Sequence, residues 1–160
     1  MTRSMRTEYS GHMFRSRLEA RWAVFFNEMT LAWEYEKHRF SRYTPDFYLP
    51  LFDVFLEVKP LWNVADVERA KKAPRCYVLA GDIGTPTLYG TYLYCGAALF
   101  DTNTLIPHAF AIVDNELRIQ PYVRDDMAQE HDALRAAFHV AYWTFRKPGE
   151  TPWQRHVSDK

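Results

Sequence analysis

The first half of the chain alternates between helical and strand-like hydrophobic patterns. Residues 14–29 place apolar side chains at helical spacing, with Leu18, Trp22 and Phe26 on one broad face, which predicts an amphipathic helix. Shorter runs rich in aromatic and β-branched residues follow, and they predict strands near residues 32–36, 46–49 and 53–59. One helix followed by three strands is therefore the expected beginning of the fold.

The sequence after the third predicted strand has the pattern of a crossover connection. Residues 63–73 predict a short helix, with Asn63 or Asp66 as its N-cap. Residues 75–81 then predict a buried strand. A strand, a short helix and a second apolar strand form a right-handed βαβ unit with parallel strands. The strand at 53–59 is therefore expected inside a sheet whose two faces are both covered.

The pattern becomes β-rich after Gly84, with predicted turns at Gly90, Gly96 and Asp114-Asn115. A final helical stripe at residues 127–146 predicts an amphipathic helix that packs on the core. No linker or repeat divides the 160 residues, so a single domain is expected. Its predicted parts are a core at 14–81, a C-terminal elaboration at 82–147 and a loose tail at 148–160.

Composition narrows the class of protein. Hydrophobic residues make up 48% of the chain and charged residues 25%, which is typical of a globular domain. No apolar run reaches the roughly 18 residues of a membrane span, and the N-terminus lacks the apolar region of a secretory signal, so an intracellular (cytoplasmic) protein is expected. Cys76 and Cys95 lie far apart in apolar sequence and are expected to be buried free thiols. The net charge of zero does not by itself require a nucleic-acid partner.

One carboxylate in the first predicted helix does not fit its helical face. The helical neighbours of Glu19 are Trp22, Ala23 and Phe26, all on the apolar side. An unpaired carboxylate there is costly, so Glu19 needs a cation, a hydrogen-bond network or a metal. Arg15, one turn earlier, is a candidate for an ion pair with it.

Two charged residues share one face of the predicted central strand. Glu57 and Lys59 alternate with Val54, Leu56 and Val58, which point to the opposite, apolar face. Charges on a covered strand are expensive unless they lie at its end, where a cleft reaches the sheet. The sequence therefore predicts that Glu57 and Lys59 face such a cleft.

Asp46 is expected to join these two residues. A short turn links the strands at 46–49 and 53–59, so they should pair antiparallel, and Asp46 should lie beside Glu57 and Lys59. Two adjacent carboxylates repel unless something neutralises them, and their hard oxygen atoms select Mg²⁺ or Mn²⁺. The Val58 carbonyl and Glu19 are further candidate ligands.

Three sequence pieces in this order resemble a known superfamily. "SRLEARWA", "YTPDFYLP" and "LEVK" are similar to the motifs of PD-(D/E)XK nucleases, especially small stand-alone nucleases of phages and mobile elements. The similarity covers residues 14–81 and implies a restriction-endonuclease-like α/β (α+β) fold, with a mixed β-sheet flanked by helices. It also implies metal ligation by Asp46 and Glu57, a catalytic Lys59 and an additional acidic site residue, Glu19. The implied activity is Mg²⁺-dependent (or Mn²⁺-dependent) endonuclease cleavage of DNA by metal-activated water.

The expected partner is DNA, and a homodimer would supply the two sites that cutting both strands requires. Candidate phosphate contacts are Arg15, Arg17, Lys37, Arg39 and Arg42. One alternative is a non-catalytic nucleic-acid-binding or assembly module that retains the fold. Another is a soluble α/β domain with a buried salt-bridge network, in which Lys59 pairs with Asp46 or Glu57, and Arg15 with Glu19.

Overall fold

The computed structural model describes residues 4–81, 83, 98–121 and 132–145. Within these ranges, seven strands form a mixed sheet in the order β3-β4-β5-β6-β7-β8-β9, and β1 pairs with β2 in a separate hairpin. The strands are β1 (Thr7–Tyr9), β2 (His12–Phe14), β3 (Glu34–Tyr35), β4 (Phe47–Leu49), β5 (Val54–Lys59), β6 (Cys76–Ala80), β7 (Ala98–Asp101), β8 (Pro107–Val113) and β9 (Glu116–Pro121). The helices are α1 (Arg17–Glu28), α2 (Val64–Ala70) and α3 (Asp132–Trp143).

The predicted mixed sheet with flanking helices is confirmed. From α1 to β6 the order is helix, three strands, helix, strand, as expected from the sequence. Helix α2 connects β5 to β6, and these two strands pair in parallel, whereas the other neighbours in the sheet are antiparallel. None of the helices in the described ranges is long and apolar enough to cross a membrane.

Strand β5 lies inside the sheet and is covered on both faces. Val54, Leu56 and Val58 belong to the larger core cluster, which also contains the apolar faces of α1 and α3. Phe55 faces the other way and packs in a second cluster with Val67 of α2. The alternation predicted from the sequence is therefore correct, and it directs Glu57 and Lys59 toward the α2 side.

Helix α1 begins later than the sequence pattern suggests. Ser16 is its N-cap, and the Glu19 backbone N–H donates to the Ser16 Oγ at 3.1 Å. Phe14, predicted as the start of the helix, is instead the last residue of β2. The hairpin was not predicted because its strands have only three residues each; its turn has positive φ at Ser10 (50°) and Gly11 (76°).

Other predictions are corrected or only partly covered. Strand β3 contains Glu34–Tyr35 alone and is shorter than the strand predicted at 32–36. The Asp114-Asn115 turn is confirmed, with φ of 52° and 63°. The predicted turns at Gly90 and Gly96, the ends of the helix predicted at 127–146 and the tail at 148–160 lie outside the described residues.

Helix α2 begins with a capping box. The Asp66 backbone N–H donates to Asn63 Oδ1 at 2.9 Å, and the Asn63 N–H donates to Asp66 Oδ2 at 3.3 Å. Replacing Asn63 with Ala is expected to lower the free energy of unfolding by about 1 kcal/mol, because the first turn loses its side-chain acceptor. Urea denaturation measures this. The control is Glu68→Ala on the exposed side of the same helix, and an equal loss in both variants would contradict the prediction.

Candidate active site

The register of β4 and β5 brings Asp46 to the end of β5. Phe47 pairs with Leu56, so Asp46, the residue before Phe47, lies level with the following residues of β5. Its Oδ2 accepts a hydrogen bond from the Val58 backbone N–H at 2.8 Å. The Asp46 side chain thus satisfies a backbone N–H of β5 that lies beyond the end of the short strand β4.

The Val58 carbonyl lies on the same side of β5 as Asp46. Phe55 donates its N–H to the Arg75 carbonyl, and the Lys59 carbonyl accepts from Gly81, so these two residues direct their backbone groups toward β6. Backbone groups of successive strand residues point to alternate sides, so the N–H and C=O of Val58 point away from β6. The predicted carbonyl ligand is therefore placed next to the Asp46 carboxylate.

The two carboxylate oxygens of Glu57 have different partners. Oε2 accepts a hydrogen bond from the Tyr43 hydroxyl at 2.6 Å, and both side chains are buried. Oε1 lies 3.4 Å from Lys59 Nζ and 3.7 Å from the Arg69 Nη2. Burial raises the pKa of the Tyr43 phenol, so the hydroxyl remains a donor. Glu57 therefore has one oxygen fixed by a neutral donor and another that faces two cations.

Helix α2 adds two charged residues, Asp66 and Arg69, that were not predicted at the site from the sequence. Arg69 Nη2 lies 3.0 Å from Asp66 Oδ1, and Lys59 Nζ is 3.8 Å from the same oxygen. Asp66 is itself held by the capping box at the start of the helix. The available signal was helical spacing, since Arg69 and Ala70 follow Asp66 by three and four residues and share its face.

The environment of Asp46 disfavours its charged form. Asp46 is 9% exposed, and its pKa is raised well above the usual value by burial first, then by the charges of Glu57 and Glu19. The hydrogen bond from Val58 and the charge of Lys59 oppose this shift. A buried carboxylate crowded by two acids is a favourable place for a cation, which relieves both the repulsion and the loss of hydration.

Glu19 lies close enough to raise the pKa of Asp46, but its own oxygens are engaged. Oε2 accepts from the Tyr35 hydroxyl, and Oε1 accepts from the Ser16 hydroxyl at 3.1 Å. Burial raises the pKa of Glu19, and these hydrogen bonds reduce the shift. The predicted Arg15–Glu19 ion pair is wrong, because the Arg15 guanidinium lies 2.6 Å from Glu36 instead.

The predicted phosphate contacts fall into two groups. Arg15 and Lys37 are paired with acids, at 2.6 Å from Glu36 and 2.8 Å from Glu34 respectively. Neighbouring carboxylates reduce the attraction of such side chains for phosphate. These two residues are therefore weaker candidates for DNA contacts than the sequence suggested.

Arg39 and Arg42 are exposed, and within the described ranges neither forms an ion pair. Lys72 Nζ donates to the Ser41 carbonyl at 3.4 Å, so the end of α2 adjoins the loop that carries Arg42. Arg17 is half-buried and donates to Met5 Sδ. The loop before Tyr43 is thus the more cationic approach to the site.

The oxygen atoms at the end of β5 belong to the chemical type that small divalent cations bind. In the part of the chain that the structure describes, no group of three or more His, Cys, Asp or Glu side chains is arranged to hold a metal. Mg²⁺ usually binds through one or two carboxylates and retains several waters. Asp46 and Glu57 are two such carboxylates, and together with the Val58 carbonyl they are the candidate ligands without a third acid.

Comparison with known proteins yields no relative. No protein-family model, no curated protein and no solved structure matches this chain. A functional conclusion therefore depends on the three sequence pieces and on the arrangement of their residues.

Proposed function

We propose that the chain is a divalent-metal-dependent endonuclease of the PD-(D/E)XK type that hydrolyses DNA phosphodiester bonds. The observation that carries this proposal is the meeting of two buried carboxylates, Asp46 and Glu57, with Lys59 at the shared end of β4 and β5. Bound Mg²⁺ or Mn²⁺ would supply an activated water and neutralise charge on the phosphate.

Asp46, Glu57 and the Val58 carbonyl are the proposed metal ligands. Each carboxylate has one oxygen held by a protein donor, the Val58 N–H for Asp46 and the Tyr43 hydroxyl for Glu57. Among the described residues, none donates a hydrogen bond to Asp46 Oδ1, and Glu57 Oε1 faces cations. These second oxygens are therefore the atoms available to a metal, and the fixed oxygens hold the side chains in place.

Lys59 and Arg69 are the proposed phosphate contacts. A divalent cation would balance the charges of Asp46 and Glu57, which leaves two cationic side chains against the single carboxylate of Asp66. Lys59 and Arg69 would then be available to phosphate oxygens. Lys59, at 30% side-chain exposure, and Arg69, at 47%, are both accessible from solvent.

Glu19 is assigned an indirect role. Its two oxygens already accept hydrogen bonds from Tyr35 and Ser16. Each oxygen is thus oriented by a protein donor, and we propose that Glu19 acts through its charge and through hydrogen bonding near Asp46. Glu19→Gln should therefore reduce activity less than Asp46→Asn.

A non-catalytic domain with a structural ion-pair network is the second candidate. The contacts of Lys59 with Glu57 and of Arg69 with Asp66 favour it, and one half of the predicted salt-bridge network is present. Asp46 and Glu19 do not fit this alternative, since in the described part of the chain neither has an ion-pair partner within 4.0 Å. A purely structural network has no reason to bury two further acids beside Glu57.

Calorimetric titration of the metal-free protein with MnCl₂ tests the proposal. The wild type should bind Mn²⁺, and Asp46→Asn should not. Asp53→Asn is the matched control, because Asp53 is an exposed carboxylate at the other end of the same strand pair. A wild-type protein that binds no Mn²⁺, yet binds DNA without metal, would support the non-catalytic candidate instead.

Arg69→Ala is expected to weaken DNA binding about tenfold, because one charge-assisted hydrogen bond to phosphate is lost. Fluorescence anisotropy with labelled DNA in CaCl₂ measures binding without depending on cleavage. Lys71→Ala is the control, since Lys71 is the C-cap of the same helix and pairs with Glu68 at 2.8 Å. Equal affinities for the two variants would remove Arg69 from the site.

A further inference from the structure

Three tyrosine hydroxyls donate hydrogen bonds to carboxylates in the described part of this sheet and its margin. Tyr43 donates to Glu57 and Tyr35 to Glu19, both at the candidate site, whereas Tyr48 donates to Asp53 at the opposite end of the β4–β5 pair. The chain therefore contains the same chemical contact inside and outside the site. The Tyr48–Asp53 contact therefore serves as an internal control for the role of a tyrosine next to a proposed metal ligand.

Tyr43 is held more rigidly than its place in a loop suggests. Tyr43 is 3% exposed and packs in the cluster with Phe55, Val67 and Cys76. Its backbone makes two hydrogen bonds of 2.7 Å with Phe40, which close a tight turn. The ring and the backbone thus fix the hydroxyl at one position relative to β5.

The turn before Tyr43 indicates that this position is imposed by the fold. Its two central residues, Ser41 and Arg42, have φ of 43° and 68°, a left-handed conformation that non-glycine residues adopt at a cost. Packing of the Tyr43 ring and the contact from Lys72 to the Ser41 carbonyl hold the turn in place. The strained turn delivers the Tyr43 hydroxyl to Glu57.

We propose that Tyr43 is the positioning residue for Glu57, holding Oε2 so that Oε1 faces the cation site. This inference rests on the proposed metal-dependent function. Lys59 and Arg69 approach Oε1 only to 3.4 and 3.7 Å, so the 2.6 Å bond from Tyr43 is the shortest polar contact of this carboxylate. Without it, Glu57 is free to turn both oxygens toward the two cations and would lose the orientation that suits a metal.

A merely structural role makes a different prediction. If the bond served only the fold, its loss would lower stability and leave metal affinity unchanged. If it orients a metal ligand, its loss would weaken metal binding even in a folded protein, because loss of such supporting contacts typically reduces metal affinity about 10- to 100-fold. Metal affinity and thermal stability therefore separate the two roles.

The experiment compares Tyr43→Phe with Tyr48→Phe, which removes the equivalent hydroxyl outside the site. Calorimetric titration with MnCl₂ should show a dissociation constant about tenfold higher for Tyr43→Phe and a change of less than about twofold for Tyr48→Phe. The rise in unfolding temperature on adding MnCl₂ is a second measure of Mn²⁺ affinity, because metal that binds only the folded protein stabilises it. It therefore applies even if Tyr43→Phe is partly unfolded.

The possible results are distinct. If the wild type binds Mn²⁺ and Tyr43→Phe binds it equally well, the positioning role is overturned but the proposed metal site is retained. Equal weakening in Tyr43→Phe and Tyr48→Phe would also overturn it, since the effect would not be local. A wild type that binds no Mn²⁺ would overturn the proposed function, and this inference with it.

Discussion

Asp46→Asn is expected to reduce metal-dependent DNA cleavage by about a thousandfold or more, equivalent to roughly 4 kcal/mol of transition-state stabilisation. Asn has nearly the shape of Asp, and its carbonyl oxygen can still accept the hydrogen bond from the Val58 N–H. The substitution therefore removes the charge and the ligand while preserving the local backbone. The loss would come from metal binding and not from unfolding.

The assay uses supercoiled, linear, single-stranded and branched DNA with Mg²⁺. Asp53→Asn should cleave like the wild type, since Asp53 is exposed and contacts Tyr48 and Arg75 away from the site. Lys59→Ala should lose about 10²- to 10³-fold, because removal of one electrostatic stabiliser has that typical effect. Equal cleavage by the wild type and Asp46→Asn would exclude Asp46 from the chemistry and refute the proposed function.

In the metal-free wild type, the contribution of Asp46 and Glu19 to the free energy of unfolding should decrease as the pH rises from about 4 toward neutrality. Burial and neighbouring acids raise the pKa of both carboxyls in the folded state. Between the unfolded and folded pKa values, the folded protein binds more protons than the unfolded chain. Its free energy of unfolding therefore decreases through that interval and stays low above it.

Asp46→Asn should consequently be more stable than the wild type near neutral pH in the absence of metal, because the folded wild type must ionise a buried carboxyl whose pKa is raised by burial and by neighbouring acids. The gain should vanish below about pH 4, where the unfolded and folded carboxyls are both protonated. Comparing the two proteins at each pH cancels the shared groups that do not interact with Asp46. One of these is Glu34, whose pKa is lowered by hydrogen bonds from Lys37 and His38.

Urea denaturation in the presence of a chelator measures this difference. Saturating MnCl₂ should reverse the order, because the metal stabilises only the protein that binds it. A variant that is less stable than the wild type at every pH would mean that Asp46 contributes to the fold. That result would favour the structural network over a metal site.

The sequence determined the part of the site that lies along adjacent strands. The alternation of Val54, Leu56 and Val58 with Glu57 and Lys59 fixed the face of each β5 side chain, because strand periodicity leaves no other arrangement. The short turn between β4 and β5 fixed their pairing, and so the approach of Asp46. These relations are local, and a strand pattern is sufficient to predict them.

Periodicity did not determine the partners of these side chains. Arg15 was expected to neutralise Glu19, but it pairs with Glu36, and hydroxyls from Ser16 and Tyr35 hold Glu19. A helical pattern indicates which face a carboxylate occupies, but several donors come within reach of that face. Which donor reaches it depends on how separate elements pack.

Only the tertiary structure placed Tyr43, Asp66 and Arg69 at the site. Tyr43 reaches Glu57 from a loop closed by a strained turn, and Arg69 reaches it because α2 packs against the parallel pair β5–β6. These contacts depend on side-chain lengths and on how α2 packs on the sheet, and neither feature produces a periodic pattern in the sequence. The chain's pattern therefore specified two carboxylates and a lysine, and packing decided which residues orient them.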